Sequence, residues 1–307
     1  MIRKFQILST LFLSLIVFSC KDDSVEVTTK KFNSNSIRIL PEIPKSMLFF
    51  GNKIQLRDED IRERLDREII INVYFQSSTT FALKRANRYF PEIEKILAKE
   101  NVPDDFKYLA VIESNLTEVI SPAGANGFWQ FMPNTAKEYG LVINEEIDER
   151  LNLTKSTYAA CSFIKKSNSI FDDWINACAS YNRGINGLQS DMDWQHTRHY
   201  FDTDMNNETG RYVFRIMAMK LIMENPELYG FKIPKSQLYK PFKNKRIKLK
   251  KEITNMANWA VANGVNLKIV RKLNPWLTSN KLTINPSNYT IQLPMKSENL
   301  KNFNSYR

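Results

Sequence analysis

Between about Arg57 and Glu224, apolar residues recur at three- and four-residue spacing in six successive segments, near 57–75, 80–99, 104–115, 154–168, 171–182 and 208–224. That period gives each segment one apolar stripe when it is helical, so the middle of the chain is predicted to be an all-α domain. Pro226 and Gly230 close the last segment, and Pro234 opens a different composition. Beyond it, Arg246-Ile247-Lys248-Leu249-Lys250 alternates like a strand with one wet face. Helical pieces follow around 253–262 and 266–273, and Tyr289-Thr290-Ile291-Gln292-Leu293 is again strand-like. The fold expected is mainly α, a helical domain over 57–232 followed by a small β-α-α-β domain over 233–307.

The N-terminus bears on the compartment. Arg3 and Lys4 precede the uncharged run Phe5 to Ser19, which has the form of an export signal. The run is shorter than the roughly twenty residues a spanning helix needs. It ends in Val17-Phe18-Ser19-Cys20, which resembles the lipobox of bacterial lipoproteins. The resemblance implies a signal peptide over 1–19, lipidation of Cys20 as a membrane anchor, and a tether over 20–56; an ordinary signal with a stray cysteine is the alternative. The polar Lys21-Asp22-Asp23-Ser24 and the scattered Pro41, Pro44 and Gly51 suit a tether with some local packing. The expected location is an exported lipoprotein, at the outer membrane and facing the periplasm.

Charge and ligand counts narrow the function. Lys and Arg number 44 against 33 Asp and Glu, a net charge of +11 that favours an anionic polymer as partner. Export removes nucleic acid from that set. Two His and three Cys are too few for zinc-finger arrays or iron–sulfur clusters. His196 and His199, with Asp202 and Asp204 nearby, outline a metal site, but such a polar stretch is more often a solvated loop, and neither metal nor cofactor is expected. Cys161 and Cys178 each fall on an apolar stripe, so they are buried small hydrophobes or, in an oxidising compartment, a disulfide pair.

One carboxylate stands out. In the helix opened by Pro103-Asp104-Asp105, the residues Phe106, Leu109, Ala110 and Glu113 share one face. A carboxylate on an apolar stripe loses solvation, which raises its pKa toward the range of a general acid. The alternative is that Glu113, at the helix end, reaches out to solvent. A small-residue loop follows, Ser121-Pro122-Ala123-Gly124-Ala125-Asn126-Gly127, and then Phe128-Trp129-Gln130-Phe131-Met132 before Pro133 starts a short helix that Gly140 ends. Aromatic faces stack on sugars and an amide both donates and accepts, so this segment is either a polysaccharide groove wall or a core plug. Tyr181 lies inward on its helix beside Asn182.

Four spaced motifs, Glu113-Ser114, Ser121 to Pro133, Ala179-Ser180-Tyr181-Asn182-Arg183-Gly184 and Glu208-Thr209-Gly210-Arg211-Tyr212-Val213, resemble in order those of soluble-lytic-transglycosylase-like enzymes of glycoside hydrolase family 23. The C-terminal part, with Leu273-Asn274-Pro275, resembles a single, diverged LysM module. The resemblance implies a goose-lysozyme-like α-domain with Glu113 as the single catalytic acid. It further implies Ser121 and Gln130 positioning the amide-bearing sugar, Met132 lining the groove, Tyr181 and Asn182 facing the scissile bond, and Glu208 and Tyr212 supporting the groove. Phe128 replaces the family's Leu, and Ser180 its Ala. The activity implied is a lyase that cuts the β-1,4 bond between N-acetylmuramic acid and N-acetylglucosamine without water, in cell-wall remodelling or turnover. Implied partners are peptidoglycan strands, the membrane through Cys20, and proteins of cell-wall synthesis or remodelling. Two other readings stay open. A hydrolytic muramidase that inverts would need a second carboxylate, for which Glu118 is the nearest candidate in sequence, and a wall-binding lipoprotein would need no chemistry.

Overall fold

The computed structural model describes residues 42–295. The expected signal segment, Cys20 and the first part of the tether lie outside them. What is described of the tether is folded: β1 (Ser46–Phe49) and β2 (Asn52–Gln55) pair antiparallel around Phe50-Gly51. Both turn residues have positive φ, 50° and 82°, which matches the twist of a two-residue hairpin. Ile43, Met47, Phe49, Phe50 and Leu56 are buried in the main core, so this end of the chain belongs to the folded body.

The helical domain follows the predicted periods with shifted ends. α1 (Glu59–Tyr74) is capped by Asp58, whose side chain accepts from the Ile61 N–H. It turns at Phe75 into α2 (Gln76–Lys99), and α3 (Phe106–Ser114) comes next. After the short α4 (Pro133–Glu138) come α5 (Leu153–Phe171) and α6 (Trp174–Arg183), the second capped by Asp173. The break between them sits at Asp172, in left-handed conformation, where the sequence period predicts a helix already begun. α7 (Ile185–Gln195) was not anticipated, because only Leu188 and Met192 on it are buried and so its period is faint. α8 (Asn207–Glu224) is the spine, buried along most of its length and packed on α1, α3 and α6. A buried charge pair sews three elements together: Lys220 on α8 meets Asp105 at 2.6 Å, and the other Asp105 oxygen accepts from the Phe50 N–H at 2.6 Å. Cys161 and Cys178 are both buried and both free thiols, so burial rather than a disulfide is what the structure has.

The C-terminal module is the expected β-α-α-β: β3 (Asn244–Lys248), α9 (Met256–Ala262), α10 (Leu267–Leu273) and β4 (Thr290–Pro294), with β3 antiparallel to β4. The first strand lies two residues before the predicted one; Leu249 is buried just outside it. Asn274, fully buried, explains the Leu-Asn-Pro turn: its side chain donates to the Val270 and Gln292 carbonyls and accepts from the Gln292 N–H, tying α10 to β4.

The two parts are clamped together. Ile147 of the helical domain is buried inside the module's own apolar core. Beside it Glu146, 2% exposed, accepts from the Thr283 N–H, the Thr283 hydroxyl and the Ile284 N–H. Its carbonyl takes the N–H groups of Thr278 and Ser279.

Candidate active site

α3 ends one residue after Glu113, and the stop is enforced. Asn115 and Leu116 are both left-handed (φ 51° and 54°), a conformation that costs a non-glycine residue and persists only where surroundings impose it. Asn115 is tied to α2: its amide donates to Ser78, and its carbonyl accepts from Arg85 at 3.1 Å. Ser114 donates to the Phe128 carbonyl at 2.9 Å and so pins the helix end to the loop that follows.

That loop is built from its small residues. Ser121 closes it, accepting from the Ala125 N–H through its hydroxyl (3.0 Å) while its own N–H donates to the Ala125 carbonyl (2.8 Å). At Gly127 a Cβ would stand 2.1 Å from the Arg150 carbonyl oxygen, so no side chain fits there. Gln130, with φ 47°, folds its amide back to the Val119 and Gly127 carbonyls at 2.9 and 2.8 Å. Phe128, Trp129 and Phe131 are buried; of the two readings open at that segment, the aromatics are the core plug. Trp129 donates to the Thr157 hydroxyl at 3.0 Å. Met132, 44% exposed, is the one large apolar side chain of the segment that reaches the surface.

Sequence reasoning missed the brace behind this loop. Arg150 pairs with Asp148 at 2.7 Å and donates to the Gly124 and Phe131 carbonyls, at 2.8 and 3.1 Å. Asp148 also accepts from the Asn126 amide at 2.9 Å. The string Asp148-Glu149-Arg150 looks like a solvated charge run, yet all three are buried. No local signal distinguishes the two.

The remaining candidates lie on α6 and α8. Tyr212, buried on α8, donates its hydroxyl to Glu113 Oε1. Tyr181 donates to the Trp129 carbonyl at 2.8 Å, and its ring meets Phe163 and Phe131 edge-on. Burial and then the charge of Glu113 hold its phenol well above the usual tyrosine range. Asn182 spans α6 and α8, donating to Glu208 at 3.2 Å and accepting from the Thr209 hydroxyl at 2.9 Å. Glu113 itself is half-buried. Its pKa is pushed up to about 7, chiefly by burial. The Tyr212 hydrogen bond and then the Arg215 charge pull it down, and the Glu208 charge pushes it further up. A carboxyl of this kind carries its proton for part of the time at neutral pH and can give it away.

Glu118 does not join this group; it stands with Arg88, Glu92 and Lys272 where the two domains meet. His196 caps α7 in left-handed conformation, and His199 lies 3.9 Å from Asp173. Among the described residues no three His, Cys, Asp or Glu side chains gather as metal ligands.

Residues 90–202 match the family described as the transglycosylase SLT domain, and residues 245–297 match the soluble lytic transglycosylase C-terminal LysM-like domain. The chain carries an SLT domain. The match holds Glu113, the Ser121 to Met132 loop, Tyr181 and Asn182, but stops before α8. Tyr212, the hydrogen-bond donor to Glu113, lies beyond the matched residues. Membrane-bound lytic murein transglycosylase D of Escherichia coli, from strain K12 and from strain O6:H1, is 24% identical over 257 residues, 81% of this chain. The putative tributyltin chloride resistance protein of Alteromonas sp. strain M-1 is 32% identical over 114 residues, 36% of this chain. The chain spans 55% of the length of each of these relatives.

Proposed function

We propose that this protein is a peptidoglycan lytic transglycosylase. Protonated Glu113 donates to the oxygen bridging N-acetylmuramic acid and N-acetylglucosamine, and the C1–O bond breaks. The substrate's acetamido oxygen stabilises the electron-poor C1, which removes the need for a second protein carboxylate. Glu113, now ionised, takes the proton of the muramyl 6-hydroxyl, whose oxygen bonds to C1 and leaves a 1,6-anhydro end. No water is consumed. Tyr212 orients Glu113 and steadies its ionised form. Ser121 and Gln130 order the loop that would meet the acetamido sugar, Met132 offers an apolar contact, and Tyr181, Asn182 and Glu208 form the opposite wall.

The observation that carries this reading is the half-dry Glu113 carboxyl with its proton affinity raised to about 7, inside an SLT domain. The sequence candidate for a hydrolase's second carboxylate, Glu118, faces the domain junction instead. Digestion of purified sacculi followed by mass spectrometry tests the reading. Products should lack one water relative to reducing ends, and Glu113→Gln should form them at least about 10²-fold more slowly; products with reducing ends would establish hydrolysis instead.

The LysM-like module supports a peptidoglycan partner, with proteins of wall synthesis or remodelling as further partners. The lipobox supports export and anchoring through lipidated Cys20 to the outer membrane. No helix among the described residues is long and apolar enough to cross a membrane. Cys20→Ala should move the protein from the membrane fraction to the soluble one, and unchanged fractionation would remove the anchor from this account.

A further inference from the structure

Where the SLT domain meets the C-terminal module, the two enclose a cavity of about 180 Å3. Arg88 and Glu92 come from α2, Glu118 from the stretch after α3, and Phe242, Lys272 and Trp276 from the C-terminal part. The cavity exists only because the domains are docked.

Its charges are not matched to one another. Arg88 gives its Nε to the Lys240 carbonyl at 2.9 Å and lays its guanidinium 4.2 Å from the centre of the Phe242 ring. Lys272 places its ammonium 5.4 Å from the centre of the same ring. Two cations from two domains thus share one aromatic ring, and among the described residues neither has a carboxylate partner. Glu92 accepts from the Thr154 hydroxyl, and among the described residues neither it nor Glu118 has a cation partner. Like charges gathered on a ring repel, and an anion between them relieves that; the two carboxylates likewise suit an ammonium group. The cavity also touches Phe128, next in chain to Trp129, whose carbonyl holds Tyr181 at the Glu113 groove.

We propose that this junction cavity binds the stem peptide of the glycan strand, a short peptide with free carboxylates and a free amine. A carboxylate would sit between Arg88 and Lys272, and the amine would face Glu92 and Glu118. The source of the peptide rests on the peptidoglycan reading; the chemistry of the cavity does not.

The test is calorimetric titration of the full chain with a sugar-free stem tetrapeptide, alanyl-γ-glutamyl-diaminopimelyl-alanine. Arg88→Ala with Lys272→Ala should weaken binding about tenfold, the scale of lost charge-assisted hydrogen bonds. The matched charge loss Lys245→Ala with Lys248→Ala, at two exposed positions of β3, should change it less than about twofold. Acetylating the diaminopimelyl amine, the one left free in the strand, should also weaken it. No binding, or equal loss in both double variants, overturns the proposal. Lys272→Glu, at an exposed position, repeats the test should the double variant not fold, and undiminished binding there overturns the proposal too. On strands, the Arg88/Lys272 variant should slow cutting of peptide-bearing glycan and spare peptide-free glycan; equal rates on both count against the site. Peptide binding without glycan cleavage would sink the lyase reading alone, and cleavage without peptide binding would sink this one alone.

Discussion

Two glutamates, one at the end of α3 and one at the domain junction, are both drawn out of water, and their surroundings drive them to opposite protonation states. Glu113 has one hydrogen-bond donor, Tyr212, and burial lifts its pKa to about 7. Glu146 also pays the burial cost, but the Thr283 hydroxyl, the Thr283 and Ile284 N–H groups and the Lys281 charge outweigh it and bring its pKa down to about 2. The lesson is that burial alone does not make an acid catalyst; burial with too few donors does. Glu146 is a permanent anion that clamps the module, while Glu113 is a group able to exchange its proton.

The largest effect expected is from Glu113→Gln, which should lower the rate of strand cleavage by about 10²–10⁴-fold, the usual share of general acid–base catalysis. It should not lower stability at high pH. The folded-state pKa of Glu113 is raised, so its favourable contribution is complete below the unfolded value of 4.5 and is lost as pH rises through about 7. The Gln variant should therefore be the more stable protein at pH 8, by on the order of 3 kcal/mol, and no more stable at pH 4. Urea melts at the two pH values check this, and a variant less stable at pH 8 would break the contrast.

Glu113 was legible in the sequence because it shares a helical stripe with Phe106, Leu109 and Ala110, and local period reports which face turns inward. The LysM-like order was legible for the same reason. Glu146 was not, since its partners lie more than a hundred residues away and nothing nearby in sequence signals them. The hairpin at 46–55 was missed because short strands that follow two prolines look like tether, and the Asp148–Arg150 brace because buried and solvated charge runs have the same composition. Tyr212 was reached only through the family resemblance; its position on α8 does not announce a bond to α3.

At the junction, Glu146→Ala should cost about 1–3 kcal/mol, as leaving the Thr283 and Ile284 donors without their acceptor does, and should open 274–285 to protease. Glu146 has a lowered pKa, so its contribution is present above 4.5 and lost as pH falls through about 2. The cost of a Gln at this position should accordingly shrink in acid, the reverse of the trend at Glu113. Gly127→Ala joins the two regions, because its Cβ would strike the Arg150 carbonyl in the brace that carries Asp148. A residue forced into such a place costs about 1–3 kcal/mol, and displaced loop backbone should lower activity without changing the groove acid. Tyr212→Phe should have the smallest effect, a loss within about tenfold in rate, since one hydrogen bond is removed. Because that bond lowers the Glu113 pKa, the alkaline limb of the pH–rate profile should move upward; a downward move would mean that Tyr212 does not serve the ionised form.

The central claim is that Glu113 keeps its proton to near neutrality. Carboxyl carbons labelled with 13C in all glutamates can be titrated by NMR, with Glu113→Gln assigning the resonance by its disappearance. The account predicts a midpoint near 7 for that resonance, and a midpoint at the ordinary 4.5 would contradict it.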